Sequence, residues 1–339
     1  MQIEKKNILP IQTPSILSYP EQAYVTAIIQ NSSNANKWIL DNFLQLWYVE
    51  TKYGIYVSFH PHPIYDICPF IERNYVGNDI KNLLDFVIDS INNKCYLVMW
   101  LDQYYIEESA NFNQKHLDHP TLIYGYDLTE YKFYMADFYK NDGYTVVQEN
   151  INNVLDSYNG VKKYIKGYTN DITKRVIQIK LNKNINYDLS ISNISNKLSF
   201  FMQGKMDPNV IDETVKYLEV LDCAWGINVC DKIMGYMERV KVENIKKVEM
   251  RNLFILKDFY RLFLERVEYL VKYKGLEKSN IKICKDVYKI TELFVILLLM
   301  YNYSNNTAII DKILYNLGII SKWQKNTLPK IIEGISKLQ

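Results

Sequence analysis

A chain of 339 residues, 48% hydrophobic and 23% charged, is long enough for two domains and has the composition of a globular protein with a sizeable core. Its 40 basic and 38 acidic side chains leave a net charge of +2, which excludes a strong overall field for nucleic acid or anionic membrane. Five cysteines, odd in number and without C-x-x-C spacing, point to reduced thiols in a cytoplasm rather than to a disulfide framework, and abundant Tyr, Asn, Ile and Lys suit an AT-rich bacterial genome.

The opening "MQIEKKNILPIQTPSILSYP" lacks the uninterrupted apolar core of a signal peptide. Pro20 to about Gln30 reads as a helix and Trp38 to Trp47 as a second, while "GIYVSFH" and "CYLVMWLD" read as strands. Between those strands, Ile80, Leu83, Leu84, Val87, Ile88 and Ile91 fall at helical spacing. "TLIYGYD" and "KFYMADFY" form a hairpin, and "RVIQIKL" is a strand within a connector from about 160 to 200.

Beyond that the pattern is helical. "DPNVIDETVKYLEVLDCAWG" opens with Asp207 as an N-cap and Pro208 at the first helical position, and closes at Gly226. "RNLFILKDFYRLFLERVEYLVKYKG" is an amphipathic helix ending at Gly275. "FVILLLM" is far short of the roughly 20 residues of a membrane span and reads as a buried helix. No repeat or low-complexity linker divides the chain. The fold class is α+β, with a mixed domain over 1–160 and a mainly helical one over 161–339.

Chemistry concentrates in the hairpin. With its turn centred on Leu128 to Glu130, opposing residues sum to about 258 and Asp137 faces Thr121, two residues from His119. His119 and Asp137 then share a face as diagonal neighbours, roughly 7 to 8 Å apart at Cα. A carboxylate on one imidazole nitrogen fixes the tautomer and leaves the other to activate a thiol or hydroxyl. The structural alternative is an ordinary strand-end histidine.

A nucleophile is harder to place. The helix opening at "SYPEQAYVTAII" has Ser18, Glu21 and Gln22 about its start and no cysteine. Cys68, in "HPIYDICPFIERN", could cap a short helix begun by Pro69, where the dipole would lower its pKa; otherwise it is a small buried apolar residue. Cys95 opens a central strand, and Cys223, Cys230 and Cys284 lie in helical patterns as core. His60, His62, His116 and His119 are all the histidines, yet no second close-spaced ligand pair completes a zinc site. With no P-loop, G-x-G-x-x-G or G-x-S-x-G, no cofactor or nucleotide is expected.

"DHPTLIYGYD" followed by "MADFY", and preceded by "VIDSINNKCYLVMWLDQYYIEE", resembles the N-terminal domain family of the butirosin biosynthesis protein H over about residues 15 to 145. The resemblance implies a papain-like cysteine-peptidase fold that works as an acyltransferase in natural-product biosynthesis of the nonribosomal-peptide and polyketide type. It implies an acyl carrier protein bearing the donor on phosphopantetheine, and an amine acceptor. On this basis His119 is the general base and Asp137 its orienting partner; the family's nucleophile opens the first long helix, which here holds no cysteine, so Cys68 stands as the nucleophile by its setting and its order before His119 and Asp137. Asp102 shapes the substrate mouth, with Tyr104, Tyr105 and Tyr124 beside it, although a loop-capping role for Asp102 stays open. A peptidase, and an inactive papain-like protein that binds a peptide-like metabolite or a biosynthetic partner, also stay open, as does oligomer formation through the helical half.

Overall fold

A computed structural model of the chain describes residues 4–60, 64–76, 80–139, 143–164, 176–207 and 220–338, without the side chains of 162–164. The first half runs β1 (Lys6–Ile8), α1 (Pro20–Ile29), α2 (Ala35–Asp41), β2 (Gln45–Thr51), β3 (Gly54–His60), α3 (Ile64–Ile67), β4 (Ile71–Val76), α4 (Leu83–Asn92) and β5 (Cys95–Asp102). It continues through β6 (Asp118–Asp127), β7 (Lys132–Phe138), β8 (Tyr144–Asn150), α5 (Ile151–Tyr164) and β9 (Val176–Leu181). The remainder runs α6 (Ile191–Gln203), β10 (Val220–Trp225), α7 (Asn228–Val242), α8 (Arg251–Lys274), α9 (Ser279–Ser304), α10 (Thr307–Asn326) and α11 (Leu328–Ser336). The chain is therefore mixed α/β with a helical C-terminal region.

Two units emerge, one from 1–35 with 64–186 and the other from 36–63 with 187–339. This differs from a single boundary at residue 160, for two reasons of strand pairing. Strand β9 hydrogen-bonds to both β4 and β5, which holds the chain in the first unit to residue 186. Hairpin β2–β3 pairs instead with β10, 160 residues and more downstream, and so belongs to the second unit.

In the first unit an antiparallel sheet runs β4-β9-β5-β6-β7-β8, with β1 added alongside β6. Strand β5 lies within it, which suits the nearly continuous apolar run "CYLVMWL". Helix α1 begins with proline at its first turn and is buried along almost its whole length from Gln22 to Ile29. It packs on α3, β6 and β7. Helix α4 is capped by Asn82, whose side-chain oxygen accepts the Asp85 N–H at 3.2 Å.

In the second unit the three-stranded sheet β10-β2-β3 packs on α8, where Phe59 meets Phe259 with ring centroids 6.3 Å apart. Asn252 of α8 accepts the Val57 N–H at 3.1 Å and donates to the Ile55 carbonyl at 3.3 Å, which occupies the outer edge of β3.

Three sequence expectations need correction in this unit. The helix expected to Trp47 ends at Asp41, because Phe43 turns into the left-handed region and "QLWYVET" is hydrogen-bonded on both sides as β2. Of the helix expected from Asp207 to Gly226, residues 208–219 lie outside the described residues, and 220–225 is strand β10 with an exposed Cys223. The "FVILLLM" segment buries Phe294 and Leu298 but leaves Ile296, Leu299 and Met300 half exposed.

Arg266 ties α8 to the end of α2. Fully buried, it donates Nε to the Leu40 carbonyl and a terminal nitrogen to the Asn42 carbonyl at 2.9 Å, satisfying acceptors that a helix end leaves open. Burial pulls its pKa down, against the opposing effect of Asp41. Arg266→Ala strands these carbonyls in a dry site and should lower the unfolding free energy by about 3 kcal/mol in urea titration, with Arg266→Lys intermediate.

Candidate active site

The first unit brings His119 and Asp137 together. Leu122 pairs with Ala136 and Ile123 with Met135, a register that extends to place Thr121 opposite Asp137 and His119 diagonally across from it. The imidazole Nδ1 lies 3.0 Å from Asp137 Oδ2, with the carboxylate wholly buried and the imidazole side chain 22% exposed.

The register reaches this point through a bulge. Near the turn, Asp127 pairs with Lys132 and Gly125 with Tyr134, so opposing residues there sum to 259; the irregularity between Ile123 and Gly125 restores 258 at the site. Gly125 is required because β1 pairs alongside it, and a Cβ there would lie 2.9 Å from the Asn7 carbonyl oxygen. Asp127 caps the turn by accepting the N–H groups of Thr129 and Glu130, at 2.9 and 3.0 Å.

Asp137 has further donors. Thr121 Oγ1 donates to Oδ2 at 2.9 Å, and the Phe138 N–H donates to Oδ1 at 2.7 Å. Tyr24, one turn into α1, places its hydroxyl 2.6 Å from both Oδ1 and the Pro120 carbonyl oxygen, between which its single proton is shared. Burial, and then the adjacent carboxylate, push the Tyr24 hydroxyl well above the usual tyrosine range, so it remains a donor. In the sequence Thr121 stands out only as the residue facing Asp137, not as a donor to it, and nothing singles out Tyr24. An alternating His-x-Thr on the strand was the available signal for Thr121.

A second histidine–aspartate pair lies at the end of β5. Asp102 Oδ2 contacts His116 Nδ1 at 2.6 Å, while Oδ1 accepts the N–H groups of Tyr104 and Leu117, each at 3.1 Å. The His116 ring stacks on Tyr104 with centroids 4.3 Å apart, and Tyr104 meets Tyr105 edge-on. Gly160 of α5 passes so close that a Cβ would meet Tyr105 at 2.7 Å and Asp102 Oδ2 at 3.0 Å. Asp102 thus clamps the two ends of the 103–117 loop and has no exposed surface, which corrects its expected place at a substrate mouth. Tyr124 is also buried; it packs edge-on against Tyr134 and lines a shallow groove with Thr145 and Val147.

Cys68 does not meet the expectation of a helix-start thiol. Its N–H donates to the Ile64 carbonyl at 3.2 Å, closing α3, so it sits at that turn's C-terminal end, and Pro69 leads into β4. Burial pushes the thiol up to about 12, against the opposing effect of the Phe70 and Ile71 N–H groups. Among the described residues no imidazole hydrogen-bonds to it. His60 is buried against Trp225 and Trp47 in the second unit, and His62 lies outside the described residues. Among the described residues no group of three or more histidine, cysteine or acidic side chains is arranged to hold a metal.

No family model and no curated protein matches the chain.

The thiols are expected to react in order of burial. At pH 8 a disulfide reagent should modify exposed Cys223 first and half-buried Cys95 more slowly, leaving Cys68, Cys230 and Cys284 silent until the protein unfolds. These three are pushed up to about 12 by burial, above the unfolded value of about 8.5. Their contribution to stability is therefore whole below about 8.5 and declines as pH rises toward 12, which urea titration across that range would record.

Proposed function

We propose that His119, oriented by Asp137, is the general base of an acyl transfer in a papain-like frame, and that the acceptor attacks directly, without a cysteinyl intermediate. The supporting observation is the 3.0 Å contact from Nδ1 to a buried carboxylate, in an imidazole that remains partly exposed and whose ring makes no other hydrogen bond among the described residues. The sequence resemblance supplies the substrate class, a carrier-bound thioester and an amine.

As the amine nitrogen forms its bond to the thioester carbonyl carbon, Nε2 takes a proton from that nitrogen. The C–S bond breaks on collapse of the tetrahedral adduct, and the imidazolium returns the proton to the leaving sulfur. Thioester and amine become amide and free thiol, with no nucleotide and no net change in the enzyme. Asp137 holds the Nδ1–H tautomer and offsets the charge that develops on the ring.

The burial and raised pKa of Cys68 favour this direct route over the covalent one. Release of thiol from an acyl-phosphopantetheine thioester in the presence of amines tests it. His119→Ala and Asp137→Asn should each lower the rate by about 10²- to 10⁴-fold, and Cys68→Ala should leave it within about twofold. Loss of both turnover and an acyl adduct in Cys68→Ala would establish the covalent route instead. Tight binding of acyl compound without turnover, unchanged in His119→Ala, would make the protein a binding module.

A further inference from the structure

Tyr24 stands where the β6–β7 ladder stops. Leu122 and Ala136 are the last pair on that ladder, and beyond them each strand runs on without the other's backbone. The Tyr24 hydroxyl, delivered by α1 and wholly buried, reaches the Pro120 carbonyl on β6 and Asp137 Oδ1 on β7, each at 2.6 Å. One oxygen thus ties a helix to both strands at the carboxylate that orients His119.

We propose that Tyr24 is a positioning residue that sets the basicity of His119: its proton, given mainly to Asp137, weakens that carboxylate's hold on an imidazolium and keeps the ring neutral, ready to accept a proton. This rests on the reading of His119 as a general base. Asp137 turns Oδ2 to His119 Nδ1 and Oδ1 to Tyr24, so ring and phenol share one negative charge from its two ends. A hydrogen bond to the charged form of a carboxylate stabilises that charge, and the part so satisfied no longer holds an imidazolium. The Pro120 carbonyl competes for the phenol proton but carries no net charge, so the carboxylate is the stronger acceptor. Burial, and then Asp137 itself, hold the phenol in its donating form.

The other ionisable groups on this side are hydroxyls. Tyr139 follows β7, Tyr144 opens β8, and Tyr65 of α3 lies beside Tyr24, with Glu149 beyond Tyr139 and Glu21 beyond Tyr65. Burial pushes the three tyrosines up, so they stay neutral across the range in which an imidazole titrates. Asp118 and its β5 neighbour Asp102, which holds His116, alternate to the other face of the sheet.

Proton NMR titration of His119 in the substrate-free full chain tests the coupling, its resonance assigned by loss in His119→Ala. Tyr24→Phe removes the donor and should raise the imidazole pKa by about one pH unit, whereas a ring-fluorinated tyrosine in place of Tyr24, a stronger donor of nearly the same shape, should lower it. The acid limb of the acyl-transfer pH–rate profile should move with each, with KM changed by less than about twofold. A titration unmoved in both forms, or moved the same way in both, overturns the proposal; should Tyr24→Phe fail to fold by circular dichroism, the fluorinated form decides alone. Opposite shifts without any acyl transfer would remove the reading of His119 as a base and uphold the coupling, so the two failures are distinguishable.

Discussion

Asp137 has no exposed side-chain surface, and its two oxygens are filled by four donors that three elements deliver: Tyr24 from α1, His119 and Thr121 from β6, and the Phe138 N–H from β7. A buried carboxylate is tolerable only with its acceptor sites occupied, so the local structure and the chemical site impose the same condition. That condition is met by the β6–β7 register. Because strand side chains alternate faces, a shift of one residue would take His119 and Thr121 away from Asp137 together. The close pairing of β1 at Gly125 and the turn cap from Asp127 fix that register from outside the site.

Much of this arrangement could be read in the sequence, and one part came out right through compensation. Turn residues around Leu128 to Glu130 implied opposing residues summing to 258, which pairs Thr121 with Asp137. The ladder near the turn in fact sums to 259, and a bulge that no sequence signal disclosed returns it to 258. Helices α4 and α8 were legible from their period, α1 from the proline that opens it, and strands β3, β5 and β9 as short runs rich in apolar and β-branched residues.

The failures share a physical cause. Helix α3 is a single turn of four residues, too short to carry a period, so Pro69 after Cys68 looked like a helix start when it follows a helix end. The run "FVILLLM" has no polar face, so periodicity cannot say which side turns outward. Strand β10 draws its stability from its partner, where Trp225 stacks on Trp47 with centroids 5.7 Å apart, a long-range contact that local propensity does not contain. The resemblance put Asp102 at a substrate mouth and left a loop-capping role open; what decides between them is His116, fourteen residues on.

The division of the chain has a bearing on how it is made. Residues 36–63 leave the ribosome early, yet their sheet partner β10 and their covering helix α8 are encoded more than 150 residues later. At ordinary translation speeds of about 5–20 residues per second, hairpin β2–β3 waits on the order of ten seconds or more with its apolar face uncovered. The first unit can meanwhile fold once β9 emerges, so the nascent hairpin is the segment on which a chaperone would act.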